Sequence, residues 1–178
     1  MRRFVPVAIL LVVLGGCGFG AKSSRTTTTP PIRASVPPPD ACATLTRDEI
    51  TRSIGATVGS PVPSPGKPPE TCEWDVVKPV RSGDRVQVDV RPTREFDQTF
   101  KTRADQPARR VYNIEAVGGI GDGAFFQLPT QAGPEAGAVL WVKQSGNAYI
   151  ITVRNGAATQ QQLRDQEKAL GGYLAARV

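Results

Sequence analysis

Histidine is absent from this chain, and cysteine, methionine and aromatic residues are scarce: 0 His, 3 Cys, 1 Met and 6% aromatic among 178 residues. Without histidine the commonest general base and the commonest metal ligand are missing. No Ser-His-Asp or Cys-His catalytic arrangement is therefore available, and Cys42 and Cys72, two thiols with no histidine in the chain, make a poor zinc site, which usually takes four Cys/His ligands. No long apolar run is present either. The longest, Phe4 to Leu14, is well short of the about 20 residues that a membrane-spanning helix needs. No internal repeat points to a solenoid or propeller.

That short run is nevertheless informative. Arg2 and Arg3 precede it, and Leu14-Gly15-Gly16-Cys17 follows it. A positive start, a brief apolar stretch and small residues before a cysteine are the parts of a bacterial lipoprotein signal with its lipobox. The expectation is a signal peptide over 1–16, cleavage before Cys17, and acyl chains on that cysteine. One acyl chain gives marginal membrane binding, whereas two or more hold stably. The expected location is the extracytoplasmic face of the cell membrane, reached through the lipid anchor and not by spanning.

Residues 17–40 hold the lipidated Cys17 and then a segment rich in Pro, Thr and Ser, including Thr26 to Thr29, Pro30, Pro31 and Pro37 to Pro39. With almost no large apolar side chains it cannot offset its ordering entropy, and a disordered linker is predicted. The Thr run also suits O-glycosylation, with a bare spacer as the simpler reading. Residues 41–178 are one domain's worth of chain. Taking Arg2, Arg3, Lys22, Arg25 and Arg33 from the 22 basic residues, and Asp40 from the 16 acidic ones, leaves this domain at +2. Such a mixed surface, outside the cytoplasm, argues against nucleic acid. Arg109-Arg110, with Lys101 and Arg103, offer a basic cluster for anionic lipid or wall polymer, or simply a solvated helix end.

With Cys17 lipidated, Cys42 and Cys72 remain as a pair in an oxidising compartment, and a structural disulfide is expected. A redox pair would sit at CxxC spacing, which these do not have.

Thr46-Arg47-Asp48-Glu49 is a capping-box sequence and predicts a helix to about Ile54. The prolines between Ser60 and Pro69 exclude regular structure there. Cys72 to Val77 and Arg85 to Arg91 alternate and predict a hairpin. It places Glu73 and Asp75 opposite Arg85, Gln87, Asp89 and Arg91 on a polar face, with ion pairs to Arg85 or Arg91 expected. Residues 93–105 have helical spacing, with Phe96 and Phe100 four apart. Val111 to Val117 alternates again and leads into the glycine loop Gly118 to Gly123, where turns with positive φ are expected. Ala138 to Lys143 and Ala148 to Arg154 predict a second hairpin around Ser145-Gly146-Asn147. Both of its faces are apolar, so it is either covered on both sides or lines a cavity. A helix from about Ala158 to Arg177 carries Leu163, Leu170 and Leu174 on one stripe. Gly171-Gly172 inside it predict either close packing on a sheet or a break. Together these elements predict an α+β domain, a mainly antiparallel sheet with packed helices, in the manner of a small α/β sandwich.

Several of these segments fit a known pattern together. Cys42-Ala43-Thr44-Leu45-Thr46 stands before a short helix, Ile54-Gly55 closes it, and Cys72-Glu73-Trp74 opens a strand. Gly119-Ile120-Gly121-Asp122-Gly123-Ala124 and the terminal Leu/Ala helix complete the set. Over nearly the whole globular part the chain thereby resembles the actinobacterial lipoprotein family that carries the domain of unknown function 3558. High Arg and Ala with few lysines suits such a source. The resemblance implies a lipid-anchored envelope protein, and it brings no activity, cofactor or catalytic residues with it. The topology is also similar, by analogy alone, to small sandwiches of the photosystem-accessory-protein type.

Three function classes follow. The favoured one is a non-enzymatic, membrane-tethered lipoprotein without cofactor or metal, binding an envelope partner protein or a small apolar, lipid or wall-derived ligand, with Trp141 and Tyr149 as candidate ligand-lining residues. The second is an accessory lipoprotein regulating a sensor or wall enzyme by contact. The third is a carboxylate-dependent wall hydrolase using Glu73 and Asp75. It is disfavoured because their i, i+2 spacing puts both on one strand face, whereas a glycosidase needs two carboxylates across a cleft. The glycine loop lacks a phosphate-binding pattern, and its lone Asp122 falls short of the oxygens calcium needs.

Overall fold

In the computed structural model, residues 39–64, 70–78, 83–105, 112–129 and 137–178 are described. They form an α+β domain on an antiparallel sheet. A 3-10 turn at Ala41–Ala43 and helix α1 (Arg47–Ile54) come first, then two short strands, β1 (Thr57–Val58) and β2 (Val62–Pro63). The long hairpin β3 (Thr71–Lys78) and β4 (Arg85–Pro92) leads into α2 (Thr93–Asp105). β5 (Tyr112–Val117), β6 (Gly123–Pro129), β7 (Val139–Gln144) and β8 (Asn147–Arg154) form a meander, closed by α3 (Gln160–Arg177).

The strand order is β1-β3-β4-β8-β7-β6-β5, with β2 also on β3. The last strand of the meander thus returns to the centre and pairs with β4 from Arg85↔Arg154 to Pro92↔Asn147. The predicted hairpins and helices are present. The proline-rich stretch differs in one respect: Val62 and Pro63 pair with Glu73 and Cys72. Pro63 fits there because an edge strand can spare the missing N–H.

Local chemistry accounts for the helix ends. The Thr46 hydroxyl accepts from Glu49 N–H, while the Glu49 carboxylate accepts from Thr46 N–H, the reciprocal capping box. Thr159 and Gln162 repeat it at α3. Gly55 ends α1 with φ 68°, a left-handed cap that suits glycine.

Alternation divides the apolar residues between two faces. On one face Trp74, Val86, Val88, Tyr149, Ile151, Leu140 and Phe126 are fully buried with Ile50 of α1 and Leu170 and Leu174 of α3. On the other, α2 lays Phe96 against Phe125 (ring centroids 4.8 Å apart), and Phe125 stacks on Trp141 at 5.7 Å. Each such aromatic pair adds about 0.5–1.5 kcal/mol beyond area burial. The final hairpin is therefore apolar on both faces because a helix covers each.

At Gly171-Gly172 the outcome is close packing. A Cβ on Gly171 would lie 2.8 Å from Leu140 Cδ2, whereas one on Gly172 would meet nothing within 4 Å, and α3 continues unbroken through both.

Candidate functional site

Trp141 and Tyr149 do not line a common cavity. Their neighbours in the register, Ile150 and Val142, show that they project to opposite faces of the β7–β8 hairpin. Trp141 is 8% exposed beneath α2, with its indole N–H donated to Gln127 Oε1 at 3.0 Å. Tyr149 is 1% exposed in the larger core, and burial pushes its phenol pKa up against a lowering hydrogen bond with Asn147. Both side chains are packing elements of closed layers. Counting two apolar faces along the hairpin does not reveal this, since the same pattern serves a pocket wall.

Cys42 and Cys72 form a disulfide with Cα atoms 5.1 Å apart. It ties the 3-10 turn to β3, where Cys72 is fully buried beside Val88. Cys17, the segment 1–16, residues 17–38 of the linker, and Arg109 and Arg110 of the basic cluster lie outside the described residues; Lys101 is exposed.

The two acids of β3 share a strand face as expected. Glu73 opposes Gln87 and its Oε1 accepts from the Ser64 hydroxyl at 3.4 Å, while Asp75 opposes Arg85 and is exposed. The expected ion pairs form elsewhere. Arg91 meets Glu70 at 3.7 Å and Asp89 at 3.9 Å. Arg91 lies beyond Gln87 along β4 and reaches the β3 end at Glu70, and Asp89 is its neighbour on the same face.

The glycine loop has a structural function that its motif disguises. Gly119 and Gly121 have φ of 77° and 56°, and a Cβ on Gly121 would lie 2.6 Å from the Lys143 carbonyl oxygen. That closeness lets Asp122 N–H donate to Lys143 O at 2.8 Å, and Asp122 Oδ2 accept from Ser145 N–H at 3.1 Å. Ser145 needs the support because its φ is 50°. With Gly146 at 80° it makes the two-residue turn with both central φ values positive that suits the strand twist.

One buried carboxyl escapes a reading of the sequence by motif. Glu167 of α3 is fully buried, its Oε1 accepting from Val153 N–H at 3.1 Å and its Oε2 without a hydrogen-bond partner. Burial pushes its pKa up to about 9, against the lowering effects of the Val153 hydrogen bond and the Arg164 charge. A signal was present: Leu163, Glu167, Leu170 and Leu174 follow i, i+4, i+7, i+11 and so share the core-facing stripe. The Trp74 indole nitrogen, on the same sheet face, is also buried without a partner.

Where α1 ends and α3 begins, a cavity of about 260 Å³ is lined by Ile54, Ala56, Val76, Asp84, Asn155 and Gln166 among others. Its carboxylate, Asp84, uses Oδ1 to accept from Gly156 N–H at 2.9 Å. One such group does not provide the paired acid and base of a glycosidase. Among the described residues no cluster of His, Cys, Asp and Glu suited to a metal ion is present, and no helix is long and apolar enough to cross a membrane.

Compared with family models, curated proteins and solved structures, the chain matches none.

Proposed function

We propose that this chain is a lipoprotein held at the extracytoplasmic face of the cell membrane by acyl chains on Cys17, and that its domain binds an envelope partner protein or a small wall-derived ligand without catalysing a reaction. The observation that carries the reading is the Cys42–Cys72 bridge in a chain whose third cysteine follows an apolar run and a lipobox. Disulfides persist in oxidising compartments, and a lipobox exports the chain to one. Two aromatic candidates buried on opposite faces support binding through the outer surface.

Cell fractionation with crosslinking tests the proposal. The full chain is expected in the membrane fraction with a discrete crosslinked partner or a co-purifying ligand, and Cys17→Ser is expected to lose the acyl mass carried on that residue. A cytosolic wild type, or a membrane-bound chain that captures neither partner nor ligand, would overturn it.

A further inference from the structure

β4 and β8 meet at the middle of the sheet, and their register sets Arg85 directly opposite Arg154. Like charges directly opposed across strands destabilise a sheet, so this pair calls for a compensating group. Among the described residues none pairs with it: the ion pairs involve Arg91, Lys143, Arg164 and Arg177, and neither Arg85 nor Arg154. Asp75, opposite Arg85 on β3, is exposed and unpaired with it. Arg85 Nε is moreover buried with no hydrogen-bond partner.

We propose that Arg85 and Arg154 form an oxyanion site that takes a phosphate group. Guanidinium forks match the oxygens of phosphate and bind it in bidentate fashion. Directly opposed residues have Cβ atoms roughly 5 Å apart, so two forks can straddle one tetrahedral anion. Thr152, two residues before Arg154 and therefore on the same face, adds a hydroxyl donor. Arg154 is exposed, and Arg85 and Thr152 are half-buried, so a phosphate would meet the Arg154 guanidinium and the exposed part of Arg85. The helix that covers this face, α2, begins after Pro92, at the end of β4 opposite to Arg85. The inference narrows the ligand of the binding role proposed above. It rests on that role only for the source of the phosphate, either a soluble phosphate compound or the headgroup of an anionic phospholipid.

The test uses the full chain carrying Cys17→Ser, so that no acyl chain contributes. Inorganic phosphate is titrated while the arginine Nε–H resonances are followed by NMR. Saturable shifts of Arg85 and Arg154 are expected. Arg154→Gln and Arg85→Gln should each weaken binding at least roughly tenfold. Asp75→Asn should tighten it, and Lys168→Gln, on the other face, should leave it unchanged. Arg154→Gln removes an opposed charge from an exposed position and should fold, so it carries the test should Arg85→Gln not fold. Absence of saturable shifts, or equal weakening by Lys168→Gln, would overturn the proposal. Co-sedimentation with phosphatidylglycerol vesicles then separates the sources: retention lost in Arg154→Gln assigns a headgroup, and phosphate binding without retention assigns a soluble compound. A partner captured in cells by a chain that does not bind phosphate would refute this site and leave the binding role standing.

Discussion

Replacing Glu167 by glutamine is expected to stabilise the domain, and increasingly so as pH rises. In the folded chain its carboxyl stays protonated up to about pH 9, against an ordinary value of 4.5. Between those limits the folded state holds a proton that the unfolded state has released, so stability falls as pH rises and levels off above about 9. The slope is about 1.4 kcal/mol per pH unit for one proton. From the ordinary carboxyl value up to about pH 7 the penalty accumulates to about 3 kcal/mol, and at about pH 5 it is below about 1 kcal/mol. A glutamine side chain cannot ionise in either state, and its carbonyl oxygen can still accept the Val153 N–H, so the variant avoids the penalty. Against a total stability of about 5–15 kcal/mol, the gain near neutral pH should move the urea midpoint up by roughly 1–3 M. Urea titrations of wild type and Glu167→Gln at about pH 5, 7 and 8.5 read this directly. A difference that grows with pH is expected. Parallel pH profiles, or a variant destabilised equally at every pH, would show that the carboxylate is ionised in the fold and refute the reasoning.

The adjacent glycines of α3 should respond oppositely to alanine. Gly171→Ala places a methyl 2.8 Å from Leu140 Cδ2 and should destabilise by about 1–3 kcal/mol, whereas Gly172→Ala enters open space and should stabilise by up to about 1 kcal/mol; thermal melts with the same sign for both would contradict the packing. Loss of the bridge between Cys42 and Cys72, 30 residues apart, by a double Cys→Ser change should lower stability by about 3–4 kcal/mol on the chain-entropy model. An unchanged urea midpoint in the double variant would contradict that role.

Much of the secondary structure is legible because its signals are local. The capping box at Thr46, the alternation from Cys72 to Val76 and the Ser145-Gly146 turn each act within a few residues. The pairing of β4 with β8 is not local: it joins residues far apart in the chain, such as Val90 and Tyr149, and no short-range pattern selects it over other antiparallel partners. The same distance hides the candidate phosphate site, since Arg85 and Arg154 become neighbours only through that register. β1 and β2 escape because two-residue strands, one after Gly55 and one among prolines, take their pairing from the edge of β3. The Trp141 and Tyr149 pair illustrates the converse limit: alternation gives the face of each residue relative to its neighbours, and which face is roofed depends on where α2 and α3 cross the sheet.

The intact mass of the chain purified from its own cells decides most, because the proposed location, the oxidising compartment and the proposed envelope binding role all begin with the lipobox. A mature chain starting at Cys17 is expected, heavier than its sequence by two or more acyl chains and lighter by two hydrogens for the Cys42–Cys72 bond. A chain that retains residues 1–16, or one with a bare thiol at Cys17, would contradict it.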